Sequence, residues 1–117
     1  MIERLHTGPR MSQAVIHGNT VYLAGQVADD PTQDVAGQTR QILAAIDRLL
    51  AECRTDKARI LTATIYLADI GTFGQMNSVW DTWVPQGHTP ARATVEAKLA
   101  APQYKVEIQV IAARDAS

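Results

Sequence analysis

Two hydrophobic rhythms alternate along the chain. Met11 to His17 is strand-like, and Gly18-Asn19 separates it from the apolar run Val21-Tyr22-Leu23-Ala24. A Gly-Asn pair takes positive φ readily, so this spacing predicts a hairpin turn. Asp29-Asp30-Pro31-Thr32 breaks the pattern, and Asp34 can accept hydrogen bonds from the first free N–H groups of a helix. Ile42, Ala45, Ile46, Leu49 and Cys53 then recur at helical spacing, with Arg40, Gln41, Asp47, Arg48 and Glu52 on the other side, which predicts a helix over Val35 to Glu52.

From Ile60 to Leu67 the period changes to two: Leu61, Ala63, Ile65 and Leu67 share one face, Thr62, Thr64 and Tyr66 the other, as in a strand. Thr72-Phe73-Gly74-Gln75 matches a capping box, and the stripe Phe73, Met76, Trp80, Trp83 predicts a second helix to about Val84. Beyond Gly87, His88 and Pro90, two alternating segments, Ala91 to Ala97 and Tyr104 to Ala113, read as strands divided by Ala101-Pro102. The predicted order is hairpin, helix, strand, helix, strand, strand.

Crossovers between parallel strands are right-handed, so both helices are expected on one face of a single mixed sheet. On the last two strands, alternation directs Ala93, Val95, Val106, Ile108 and Val110 towards the helices, and Arg92, Thr94, Glu96, Glu107 and Gln109 towards the bare face. A bare face that also carries Tyr22, Ala24, Tyr66, Ile111 and Ala113 is too apolar to be wholly solvated. It predicts a symmetric oligomer, with charged groups enclosed at its seams.

At 117 residues, 46% of them hydrophobic and 20% charged, the chain is expected to form one globular domain, residues 1–117. Eleven basic and 12 acidic residues are scattered to a net charge of −1, leaving no basic stripe for nucleic acid. The single cysteine, Cys53, cannot form an intrachain disulfide; with no apolar signal core and no membrane-length apolar run, a cytoplasmic location is expected. His6, His17 and His88 lack metal-site spacing, and neither a nucleophile elbow nor a phosphate-cradling glycine pattern occurs.

The strongest candidate for chemistry is Arg92, in Pro90-Ala91-Arg92-Ala93-Thr94-Val95-Glu96. Its guanidinium offers a planar fork that matches a carboxylate. The competing reading is a salt bridge to Glu96 or Glu107. Glu107, expected on the same face of the following strand, could share a cleft with Arg92 and shuttle protons. Asn77 could line a pocket or anchor a loop, whereas Trp80 and Trp83 read as core.

These residues resemble the RidA/YjgF family of reactive-intermediate deaminases over nearly the whole chain. The resemblance rests on Gly8-Pro9, Ser12-Gln13-Ala14-Val15, Leu23-Ala24-Gly25-Gln26-Val27, Gln38-Thr39-Arg40-Gln41, Thr64 to Asp69, Met76-Asn77-Ser78-Val79-Trp80, Pro90 to Glu96 and Lys105-Val106-Glu107-Ile108. It implies an α+β, chorismate-mutase-like fold: a six-stranded mixed sheet backed by two helices, in a homotrimer with clefts between subunits. Family members with this arginine hydrolyse 2-imino or 2-enamino acids to 2-oxo acids and ammonia without a cofactor. By position, Arg92 would grip the substrate carboxylate and Glu107 orient or activate water, with Asn77 and the Thr94 backbone as further contacts.

Three residues depart from many members: Arg10 stands where they have tyrosine, Ala24 where they have serine and Thr94 where they have cysteine. The segments Gly8 to Ser12 and Met76 to Asp81 resemble a second Rid subgroup that keeps the arginine. Arg10 and Ala24 thus bear on substrate preference, with Arg10 either a second anion contact or a surface group. The implied partners are a small imine, enamine or 2-oxo acid and further copies of the chain. Rival readings are a non-catalytic trimer that senses small carboxylates, and an RNA-cleaving or translation-inhibiting protein.

Overall fold

The computed structural model describes residues Met1–Asp115. Strands β1 (Ile2–Leu5), β2 (Ala14–His17) and β3 (Thr20–Leu23) precede helix α1 (Val35–Glu52). After a 3₁₀ turn at Lys57–Arg59 come β4 (Ile60–Leu67), a second such turn at Ile70–Thr72, α2 (Phe73–Trp83), β5 (Ala91–Glu96) and β6 (Val106–Ala113). The strands form one six-stranded sheet in the order β1-β2-β3-β6-β4-β5. Only β4 and β5 pair in parallel, so the sheet is mixed and the architecture is α+β.

Local chemistry accounts for most boundaries. Gly18 takes φ 62° at the β2–β3 turn, where a side chain would be strained. The Asp34 carboxylate accepts from Gly37 N–H at 2.8 Å and starts α1 where the spacing predicts. The capping box at Thr72 is not made. Its hydroxyl donates instead to Asp69 O at 2.7 Å, because the 3₁₀ turn leading into α2 already commits that side chain.

Ile42, Leu43, Ile46 and Leu50 of α1 and Met76 and Trp80 of α2 enclose a core with Ile16, Leu23, Ile65, Leu67 and Ile108 of the sheet. Cys53 is buried with them, and burial pushes its thiol pKa up. No helix among the described residues is long and apolar enough to cross a membrane. Two polar side chains, Gln38 and Thr39, are fully enclosed in α1. Thr39 donates to Val35 O at 2.7 Å, while Gln38 reaches out of the helix into two loops.

The register corrects three expectations. β1, absent from the predicted order, pairs with β2 from Ile2↔His17 to Leu5↔Ala14. Leu61 does not share the face of Ala63; an irregularity between Ile60 and Thr62 turns Ile60 inward and leaves Leu61 52% exposed. The third correction concerns β5. Arg92, Thr94 and Glu96 pair with Ala63, Ile65 and Leu67, whose side chains lie buried beneath the helices, so those three face the helices. Ala93 and Val95 face the bare side, with Val95 left 42% exposed. The assignment on β6 stands: Val106, Ile108 and Val110 are buried, and Glu107 and Gln109 pair with Tyr66 and Thr64 on the bare side.

Candidate functional site

Arg92 projects from an edge strand across the face of α2. Its Nη1 donates to Asn77 Oδ1 at 2.8 Å. Its guanidinium carbon lies 5.3 Å from the Trp80 ring centroid and 5.6 Å from that of Phe73. Phe73, Asn77 and Trp80 are spaced i, i+4, i+7, which puts them on one face of the helix. Asn77 therefore holds the arginine rather than a loop, and Trp80, read from spacing as core, also bounds the guanidinium.

Among the described residues, no carboxylate lies within ion-pair distance of Arg92. The internal salt bridge to Glu96 or Glu107 is not made. Of the five guanidinium donors, one is used by Asn77, leaving a planar N–H edge at an exposed position. Two residues along the same face, the Thr94 hydroxyl is shut off from solvent with no hydrogen-bond partner. Leaving a buried hydroxyl unpaired costs about 1–3 kcal/mol.

Glu107 is on the other side of the sheet. β4 lies between β5 and β6, and the face assignments above put Arg92 and Glu107 on opposite surfaces. The expectation that one copy brings them to one cleft is thus overturned, because the polar set of β5 points the opposite way from the polar set of β6. The Glu107 side chain lies over Gly25; a Cβ there would come within 2.9 Å of the carboxyl carbon and closer still to Oε2. Gly25 is required for this close approach, not for any unusual φ.

Ala24 ends the β2–β3 hairpin half-buried; its N–H donates to Gln13 O at 2.9 Å and its carbonyl accepts from the Gln26 side chain at 3.0 Å. Arg10 lies in the exposed turn closed by Gly8 N–H to Met11 O at 2.8 Å. No hydrogen bond or ion pair joins Arg10 to Arg92 or Glu107 among the described residues. A groove of about 530 Å³ lies between α1 and the segments at Gln13 and Gln26, lined by neither Arg92 nor Glu107.

The profile of the family described as endoribonuclease L-PSP matches residues 1–114. A RutC family protein of Haemophilus ducreyi is 46% identical over 113 residues, covering 97% of each chain. A rat 2-iminobutanoate/2-iminopropanoate deaminase is 33% identical over 107 residues, 86% of this chain and 77% of the relative. The crystal structure of a YjgF family member from Neisseria meningitidis superposes with a TM-score of 0.97 at 47% identity, covering 100% of this chain and 98% of that one. With the six-stranded sheet and its two helices, these likenesses establish that the chain belongs to the RidA/YjgF family.

Proposed function

We propose that the protein hydrolyses 2-imino or 2-enamino acids to 2-oxo acids and ammonia in clefts between copies of a homotrimer. The observation that carries this reading is an arginine tethered by Asn77, with no acidic partner among the described residues and an N–H edge left open. Such a fork suits the carboxylate of a small acid bidentately. The rat relative's name supplies the substrate class.

The sheet topology supports a composite site. Arg92 and Glu107 occupy opposite surfaces, so a cleft containing both takes Arg92 from one copy and Glu107 from the next. The bare face, with Tyr22 43% and Val95 42% exposed, is the surface a neighbouring copy would cover. A protonated imine, R–C(=NH₂⁺)–COO⁻, is already electrophilic, so the reaction needs mainly positioning, one water and proton transfer. Arg92 fixes the carboxylate while Glu107 orients the water and accepts a proton as the C–O bond forms. Returning that proton to nitrogen lets the C–N bond break as the new hydroxyl gives up its own proton to the leaving ammonia, giving R–CO–COO⁻ and NH₄⁺.

The test is ammonia release. Protein is added while an amino-acid oxidase generates imine from several amino acids, and free ammonia is followed in time. The reading predicts faster release than in buffer for at least one amino acid; no acceleration with any of them removes it. Ala24 and Arg10 favour one alternative, a carboxylate-sensing trimer, because the hydroxyls many members have there are absent. That alternative predicts a raised Tm with 2-oxobutanoate and no ammonia.

Gly25→Ala separates positioning from folding. The added methyl displaces the Glu107 carboxylate, the flexible end of its side chain, so Tm should change by only a few degrees. Ammonia release should fall by about 10- to 100-fold, as expected when a reacting group is misplaced by roughly 1 Å. Unchanged release would show that the carboxylate position over Gly25 does not matter.

A further inference from the structure

We infer that Phe73 and Trp80 are positioning residues for the Arg92 fork: the two rings hold the guanidinium plane so that its N–H edge, and not its face, meets the ligand. This rests on the reading of Arg92 as the carboxylate anchor. The two aromatic positions are separated by about 10 Å along the α2 axis. The Arg92 guanidinium carbon reaches both ring centroids, at 5.6 Å for Phe73 and 5.3 Å for Trp80. Ring faces are electron-rich and attract a cation, while a planar guanidinium also stacks on them.

Asn77, one helical turn after Phe73, fixes the remaining freedom by accepting from Nη1. Three contacts from one helix face therefore define a group whose own strand lies at the sheet edge, paired on one side only. A long exposed side chain without them would sample many rotamers and lose that freedom on binding. Ordering it beforehand strengthens binding without touching the ligand. The aromatic pair also explains why an arginine rather than a lysine suits this position: an ammonium has no plane for the rings to align.

Trp80 is 5% exposed and belongs to the core, so its removal risks the fold. Phe73 is only partly buried, so it is the residue to change. Binding of 2-oxobutanoate to the intact assembly is measured by NMR titration for wild type, Phe73→Leu, Phe73→Tyr, Arg92→Ala, Arg92→Lys and the Phe73→Leu/Arg92→Lys double variant. Phe73→Leu should weaken binding about three- to tenfold, and Phe73→Tyr, which keeps the ring, should stay within about twofold of wild type. In the Arg92→Lys background the same leucine change should have little further effect, because the plane it aligned is gone.

A purely structural role for Phe73 would weaken binding equally in both backgrounds. That equality, or wild-type affinity in folded Phe73→Leu, overturns the inference. Failure of the underlying reading looks different: Arg92→Ala would then bind 2-oxobutanoate as wild type does.

Discussion

Arg92→Ala is expected to lose about 2–5 kcal/mol of transition-state stabilisation, a fall in kcat/KM of roughly 30- to several-thousand-fold. The fold should survive this change. Arg92 is exposed and has no ion-pair partner among the described residues, so its removal strands no buried charge. What folding loses is one hydrogen bond to Asn77 and the contacts with Phe73 and Trp80, about 1.5–3 kcal/mol in all at an exposed position. Arg92→Lys should recover little activity, since a point charge cannot present two parallel donors to a carboxylate. Ammonia-release kinetics beside a thermal melt decide the matter. A kcat/KM within threefold of wild type in a folded Arg92→Ala protein would contradict the assigned role.

Gln38→Leu is expected to have the largest effect on stability, about 3–5 kcal/mol, for a reason unrelated to chemistry at the site. Gln38 is fully buried, and the two N–H groups of its side-chain amide serve three carbonyls, one of them shared: Pro31 at 3.0 Å, Gln33 at 3.1 Å and Gln103 at 3.1 Å. Its Oε1 accepts from Lys105 N–H at 3.0 Å. One side chain thus joins the loop before α1 to the loop that leads into β6. Leucine matches the volume and satisfies none of these groups, so several part-buried polar atoms lose their partners. Tm at fixed protein concentration should fall by roughly 10–25 °C. A fall of under 3 °C would mean that water or local rearrangement replaces the lost bonds. Lys105 is two residues before Glu107, so the same knot anchors the strand that carries the carboxylate.

The long periodic segments were legible in the sequence because burial imposes their period. α1 needed a helical stripe and a capping Asp34, and both ends agree with the spacing. β1 was not legible: Ile2–Leu5 is nearly all exposed, so no apolar alternation marks it, and backbone pairing with β2 holds it in the sheet. The resemblance supplied six strands where periodicity supplied five.

The face of β5 shows a different limit. Alternation separates Ala91, Ala93 and Val95 from Arg92, Thr94 and Glu96, but does not say which set meets the helices. A single copy keeps its core on the helix side, so alternation alone favours the apolar set there. In the structure the polar set lies there, at the edge of the sheet, where Arg92 meets Phe73, Asn77 and Trp80 instead of closing a core. Arg92 and Glu107 could be singled out as residue types, but their placement on opposite surfaces depends on register, which only pairing reveals. The i, i+4, i+7 face of α2 was visible as a stripe, and nothing in the sequence linked it to a residue on another element.

On the proposed function, each site takes its cation and its carboxylate from different copies. The direct measurement is ammonia release by assemblies refolded from equal amounts of Arg92→Ala and Glu107→Gln chains, each nearly inactive alone. With random assortment, a site pairing an intact arginine from one copy with an intact glutamate from the next forms in roughly a quarter of the clefts. Recovery to about that fraction of the wild-type rate is the predicted result. A mixture no more active than its parents, or a wild-type protein that releases ammonia as a monomer, would contradict it.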